Sequence, residues 1–321
     1  MTARLAVCVL TVVAALLCSC DSAVSMLPKS GGRPYEVLVV ASDRANAHLL
    51  DSILSQDAAG LPQAEPMFDV SLTDSLHFNQ TAKLARNIVI VTVNPDVFTS
   101  VRVRYEKNVW AKPQMVAYVN APSGTALTKS LPQIGRQLAD LFTRAEMNAE
   151  IARLAESGNV GASVTVDSMF GCAMKIPADM KYSKKADGFL WLSDNAPSGM
   201  QNICVYSYPG DRLDPARALA ARDSVMKRNI PGERQGMYMQ TVRGSVDFVK
   251  ANEKGRILMI SRGLWEMHGD AMGGPFVAHS AADSARGRII VAEAFVYAPE
   301  MKKRNLMRQV EAALYTLKIK N

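Results

Sequence analysis

The rhythm of apolar residues changes once along this chain, near Gly158, and that change constrains the fold more than any single motif. Before it, strand-like and helix-like stretches alternate. Glu36–Ala41 (EVLVVA) is almost continuously apolar, the pattern of a strand buried on both faces. Ser42 or Asp43 can cap a helix in which Ala45, Leu49 and Ile53 recur at spacing four. Residues 68–72, 87–93 and 114–120 read as strands, and 61–66 (LPQAEP) as an extended linker. A long helix is expected over about 131–156, striped by Ile134, Leu138, Leu141, Phe142, Ala145, Ala149 and Ala152. Ser130 and Pro132 suit its start and Gly158 its end.

Past Gly158 short strands follow one another: 170–176, 188–193, 202–208, then 237–243, 256–262, 275–280 and 288–297. Only two helices interrupt them. One is capped by Asp214, opened by Pro215 and ended before Pro231; the other runs from about 300 to 318 with Leu306, Val310, Ala313, Leu314 and Leu317 inward. The expected class is α+β, mainly antiparallel sheets with long amphipathic helices packed on one face, in two similar halves. A hydrophobic content of 48% supports a substantial core.

Residues 1–19 read as a leader. Arg4 supplies the charge, Leu5–Leu17 is apolar apart from Thr11, and the run is too short for a bilayer crossing, which takes about 20 residues. It ends in Leu17-Cys18-Ser19-Cys20, the pattern of a bacterial lipobox. Ser19 is the small residue a signal peptidase needs before the cleavage point, whereas Leu17 disfavours Cys18. Cys20 is thus the expected lipidation site, carrying diacylglycerol and a palmitate-type acyl chain. Residues 20–34 read as a lipidated flexible tether, 35–158 as an α/β-type half and 159–321 as an α+β half. The expected location is the cell envelope, anchored in a membrane and facing the periplasm. Loss of Arg4 with the leader lowers the formal charge from +7 to +6, and no run of five like charges exists to suggest nucleic acid.

Chemistry-bearing residues are sparse. The densest stretch, Arg262–Phe276, places Glu266, His268 and Asp270 at alternate positions of an extended backbone, where they could share a face for metal or acid/base work. The opposing reading is structural: Leu264 and Trp265 pack, and the glycines allow two strands to cross closely. His279 and Asp283 follow nearby; His48 and His77 read as surface or boundary residues. No nucleophile elbow, Rossmann loop or phosphate loop occurs, and no cofactor is implied. Cys172 and Cys204 either bridge in an oxidising compartment or stay free and buried. Lys302, Lys303, Arg304 and Arg308 crowd the start of the last helix, where positive charge opposes the macrodipole. That misfit suggests a contact for phospholipid headgroups or an acidic partner.

Several segments in order carry a resemblance: Leu27–Val37 after the lipobox, Leu61–Phe68, Arg86-Asn87-Ile88, Trp110–Gln114, Arg262–Phe276 and Val296-Tyr297-Ala298-Pro299. Over nearly the whole mature chain they resemble an uncharacterised lipoprotein family of Bacteroidetes, domain-of-unknown-function family 4837. The resemblance implies an envelope lipoprotein and brings no catalytic residues. In strand and helix order the second half also looks like a PsbP/Mog1-type sandwich, a likeness that does not fix function. The expected role is a non-enzymatic binding or scaffolding lipoprotein for an envelope protein or other envelope ligand. The alternative is a metal-dependent or acid/base hydrolase using 262–276.

Overall fold

A computed structural model describes residues 26–253 and 255–320; Cys20 and the leader lie outside the described residues. The first half is built on five strands, β1 (Glu36–Ala41), β2 (Asp69–Thr73), β3 (Asn87–Val93), β4 (Arg102–Lys107) and β5 (Met115–Ala121), in the order β2-β1-β3-β5-β4. The first three and β5 run parallel, and β4 closes the edge antiparallel to β5. Helices α1 (Arg44–Leu54) and α2 (Gly124–Ser157) cover one face, with Leu50, Leu54, Leu138 and Phe142 against Val37, Val39, Val89 and Val119. On the other face Val40, Ile88 and Val116 pack with Phe78 and Trp110. This double cover is what the unbroken apolar run of β1 requires. α2 starts earlier than its apolar stripe indicates, because Ser123 Oγ accepts from Ala126 N at 3.1 Å, and Pro132 lies inside the helix.

The second half is an eight-stranded antiparallel sheet, in the order β10-β12-β13-β14-β9-β8-β7 with β11 also paired to β12. Its strands are β7 (Tyr182–Ala186), β8 (Phe189–Ser193), β9 (Met200–Pro209), β10 (Tyr238–Thr241), β11 (Asp247–Glu253), β12 (Arg256–His268), β13 (Gly273–Asp283) and β14 (Arg288–Tyr297). A short ribbon pairs β6 (Cys172–Ala173) with β15 (Lys318–Ile319). The α+β class therefore holds. Helices lie on both faces of this sheet, not on one: α3 (Val160–Phe170) and α5 (Arg304–Leu314) on one side, α4 (Pro215–Asn229) on the other. β14 shows why, since it is buried at every position but its two ends and needs cover on both sides. The two halves are not repeats, because one is built on parallel crossovers and the other on antiparallel pairing. Among the described residues no helix is long and apolar enough to cross a membrane.

Cys172 and Cys204 are both free and buried. The bridge is ruled out by placement, since Cys172 packs in the core under α3 and α5 and Cys204 in the core under α4, on opposite sides of the sheet. Burial pushes the Cys172 thiol up to about 11 and the Cys204 thiol well above its usual range, so neither is an activated nucleophile. The folded chain also begins earlier than Tyr35. Lys112 N donates to Pro28 O at 2.9 Å and Gly31 N to Leu84 O at 2.8 Å, which pins residues 28–31 to the first half.

The cations at the start of α5 meet the protein itself. The N-cap, Lys303, provides no side-chain cap. Glu65 of the first half does so instead: its carboxylate, 2% exposed, accepts from Lys303 N at 2.7 Å and Arg304 N at 3.0 Å. Arg304 reaches Asp69 Oδ2 at 2.6 Å, and Arg308 donates to Met67 O at 2.9 Å while lying 4.2 Å over the Tyr35 ring. Burial works against the charged Asp69, but the Arg304 hydrogen bond and the charges of Arg304, Lys302 and Arg33 hold its carboxyl below the usual range. The expected headgroup contact is thus corrected: Lys303 and Arg304 are buried between the halves, and of the four only Lys302 is well exposed. Glu65→Ala should cost about 2 kcal/mol through loss of the cap and two orphaned N–H groups. Urea unfolding measures this, and a loss below about 0.5 kcal/mol would remove Glu65 from the joint.

Candidate functional site

The stretch 262–276 is the tip of a hairpin. β12 and β13 pair through it, with Glu266 opposite Gly273, and Gly269 takes φ 83 at the turn. The other glycines give room. A Cβ on Gly274 would stand 2.1 Å from Val296 O and 3.0 Å from Trp265 Nε1, the same indole nitrogen that donates to Val296 O at 3.2 Å. Glu266 and His268 share a face, but each is occupied by its neighbour on β10. Gln240 Nε2 donates to Glu266 at 2.7 Å, and the Tyr238 ring stacks on His268 at 4.8 Å. Asp270 lies in the turn and accepts from Ala271 N. No group of three or more His, Cys, Asp or Glu placed to hold a metal occurs among the described residues.

The other histidines and carboxylates are structural by placement. His279 is fully buried against the Tyr315 ring at 4.5 Å, and Asp283 ties Arg286 and Arg288. His77 pairs with Asp74 on the surface, and His48 is exposed on α1. The most enclosed charged group is a network under α4. Arg222 holds Glu293 through bonds of 2.8, 3.0 and 3.1 Å, Tyr206 OH donates to the same carboxylate at 3.3 Å, and the guanidinium lies 3.8 Å from the centre of the Phe276 ring. Burial pushes the Glu293 carboxyl up, against the pull of Arg222. The space beside it is about 10 Å³, too little to admit a substrate.

An open crevice lies elsewhere, at the carboxyl edge of the parallel strands. β1 leads through α1 on one face to β2, and the chain returns past Phe78 on the other face to β3. The connections therefore part between β1 and β3, where α/β sheets leave a binding crevice. Here the crevice measures about 460 Å³. Val40, Ile90, Val91 and Phe78 supply apolar surface, and Ser42, Asp43, Asn46, Ser75 and Thr92 the polar groups. Asp43 caps α1 by accepting from Ala45 N at 3.0 Å, which turns the chain and places Asn46 in the first helical turn. Asn46 is 5% exposed, lines the crevice and forms no side-chain hydrogen bond among the described residues. Its amide nitrogen and oxygen are not fully enclosed, so they open onto the crevice.

The sequence did carry a signal for Asn46. The buried stripe of α1 is Asn46, Ala47, Leu50 and Leu54, one residue on from the expected Ala45, Leu49 and Ile53. With that phase, an amide stands where the helix asks for an apolar side chain.

Comparison with known proteins places each half. Residues 30–155 match the family described as "Domain of unknown function (DUF8532)". The resemblance drawn from segments in the first half to family 4837 is thereby corrected, since that family's match starts at residue 160. No curated protein matches the chain. A crystal structure from Bacteroides thetaiotaomicron VPI-5482 is similar at 14% identity and a TM-score of 0.26, covering 47% of this chain and 45% of that one. Residues 160–316 match the family described as "Domain of unknown function (DUF4837)", which supports the resemblance to family 4837 over the second half.

Proposed function

We propose that this protein is a lipid-anchored envelope protein that binds a small hydroxyl-rich ligand in the carboxyl-edge crevice. The observation that carries the reading is Asn46, whose amide forms no hydrogen bond among the described residues and opens onto that crevice. Among its neighbours Ser42 and Ser75 share one hydrogen bond at 2.5 Å, which leaves one hydroxyl proton and both oxygens for a ligand; Thr92 can donate and accept, and Asp43 accepts. No Lys or Arg lines the crevice, so the set suits hydroxyl groups of a sugar better than a phosphate or carboxylate. Phe78 adds an apolar wall to the crevice.

Thermal-shift titration with a panel of mono- and disaccharides tests this, with nucleotides and amino acids as counter-panels. At least one sugar should raise the melting temperature of the wild type. Asn46→Leu should abolish that shift and leave the stability of the free protein within about 1 kcal/mol of the wild type, because an amide that opens onto the crevice is not stranded in the core. A sugar shift that survives in the variant, or no shift with any sugar, overturns the binding site.

The anchor rests on the lipobox ending at Cys20. Cys20→Ala should abolish metabolic labelling with a fatty-acid probe and release the protein from the membrane fraction. Persistent labelling would refute it. The tether fits this arrangement, because Pro28–Gly31 is held at the amino edge of the sheet, beside Lys112 and Leu84. With strands rising about 3.3 Å per residue, the crevice stands roughly 20 Å beyond that edge, facing away from the membrane.

A further inference from the structure

The amino edge, where the tether emerges, carries a cavity of its own. It measures about 370 Å³ and opens between the starts of β3 and β5, the end of β4 and the later part of α2. Its lining contains three cations, Arg86, Lys107 and Arg144, against one carboxylate, Glu146. That carboxylate is already committed. It is 4% exposed, is gripped by Arg86 from two nitrogens, and accepts from Asn87 Nδ2 at 2.7 Å. Lys107 and Arg144 are exposed and form no ion pair or side-chain hydrogen bond among the described residues. Two uncompensated cations therefore face one cavity, with the Tyr105 ring and the Asn148 amide alongside.

The surroundings repeat the charge. Lys29 and Lys112 are exposed on this edge without an ion-pair partner among the described residues, and Lys83 lies 5.8 and 5.7 Å over the Phe78 and Trp110 rings. Lys112 holds Pro28 at 2.9 Å, and Pro113, the next residue, lines the cavity. From Cys20 to Pro28 the chain spans no more than about 28 Å when fully extended. A lipid on Cys20 would keep this cationic edge close to the bilayer surface, where each added cation strengthens attraction to anionic headgroups.

We propose that the Lys107–Arg144 cavity binds the phosphate of an anionic phospholipid headgroup and seats the first half edge-on at the membrane. The proximity argument rests on the anchor at Cys20, but the binding chemistry does not. The test therefore uses the unlipidated chain carrying Cys20→Ser, so that a failed pocket and a failed anchor are told apart. Co-sedimentation with phosphatidylglycerol vesicles should exceed that with phosphatidylcholine vesicles by at least about tenfold at low salt, from two or more cations at about fivefold each. Lys107→Gln with Arg144→Gln should remove at least about tenfold of that binding. The charge-matched control, Lys129→Gln with Arg136→Gln on the earlier part of α2, should leave it unchanged. Equal sedimentation with both lipids, full binding by the Lys107/Arg144 variant, or an equal loss in the control overturns the proposal. A free-phosphate arm separates the sources: saturable inorganic phosphate binding at Lys107 and Arg144 without vesicle binding assigns the cavity to a soluble anion and overturns the membrane contact. Both pairs are exposed, and an unchanged urea midpoint confirms that each variant is folded.

Discussion

Arg222→Met should destabilise the protein by about 3–5 kcal/mol, the range for breaking a buried ion pair from one side. The cause is what remains. Glu293 is completely buried, and without the guanidinium its carboxylate keeps only the Tyr206 hydroxyl as donor. Burial already pushes the Glu293 carboxyl up, so the variant should take up a proton there instead of holding a bare charge. The pair Arg222→Met with Glu293→Leu should recover most of the loss, because apolar side chains of similar volume often replace a buried pair without penalty. Urea unfolding of the wild type, both single variants and the double variant closes the cycle. A double variant as unstable as Arg222→Met would show that the cost lies in packing against Phe276, not in the stranded charge.

Acid should weaken the fold from about pH 6.5 downward, and His279 should be the main reason. Burial holds its ring at about 4, with Glu311 drawing it up and Arg262 pressing it down. The unfolded chain takes up a proton near pH 6.5, whereas the folded chain resists until about pH 4. Between these values the unfolded state binds more protons, so stability rises with pH across the window and is lost as pH falls through it. The span corresponds to roughly 3 kcal/mol, at about 1.4 kcal/mol per unit. Neither ring nitrogen has a hydrogen-bond partner, so His279→Leu removes the titration without orphaning a protein group. The variant should show a nearly flat stability between pH 6.5 and pH 4.5, measured as urea midpoints. An unaltered slope in the variant would move the effect to another group.

Much of the architecture was legible because long periodic segments leave few choices. The unbroken run of β1, the Asp214–Pro215 start of α4 and the apolar stripe of α2 all say what they build. The misses share physical causes. α3 is rich in β-branched residues, with Val160, Val164, Thr165 and Val166, yet Asn159 caps it and tertiary packing of Val166 and Phe170 decides the matter. β7 and β4 are mostly exposed, so no apolar pattern announced them. The trio Glu266, His268 and Asp270 looked like a site because strand alternation aligns side chains; sequence could not show that β10 would occupy two of them. The crevice was hidden by a one-residue error in helix phase, which turned Asn46 from an intruder in the core into an ordinary surface residue.

The cap that Glu65 places on α5 also bears on the order in which the chain is made. Glu65 leaves the ribosome early, and α5, near the C-terminus, is among the last elements to do so. The first half can assemble during synthesis. The face of the second sheet that α5 covers stays open until Met307, Val310 and Leu314 arrive. The helix that closes it carries no side-chain cap of its own. The finished first half thus serves as a template on which the final element nucleates, and closing the second core and joining the two halves become a single late event.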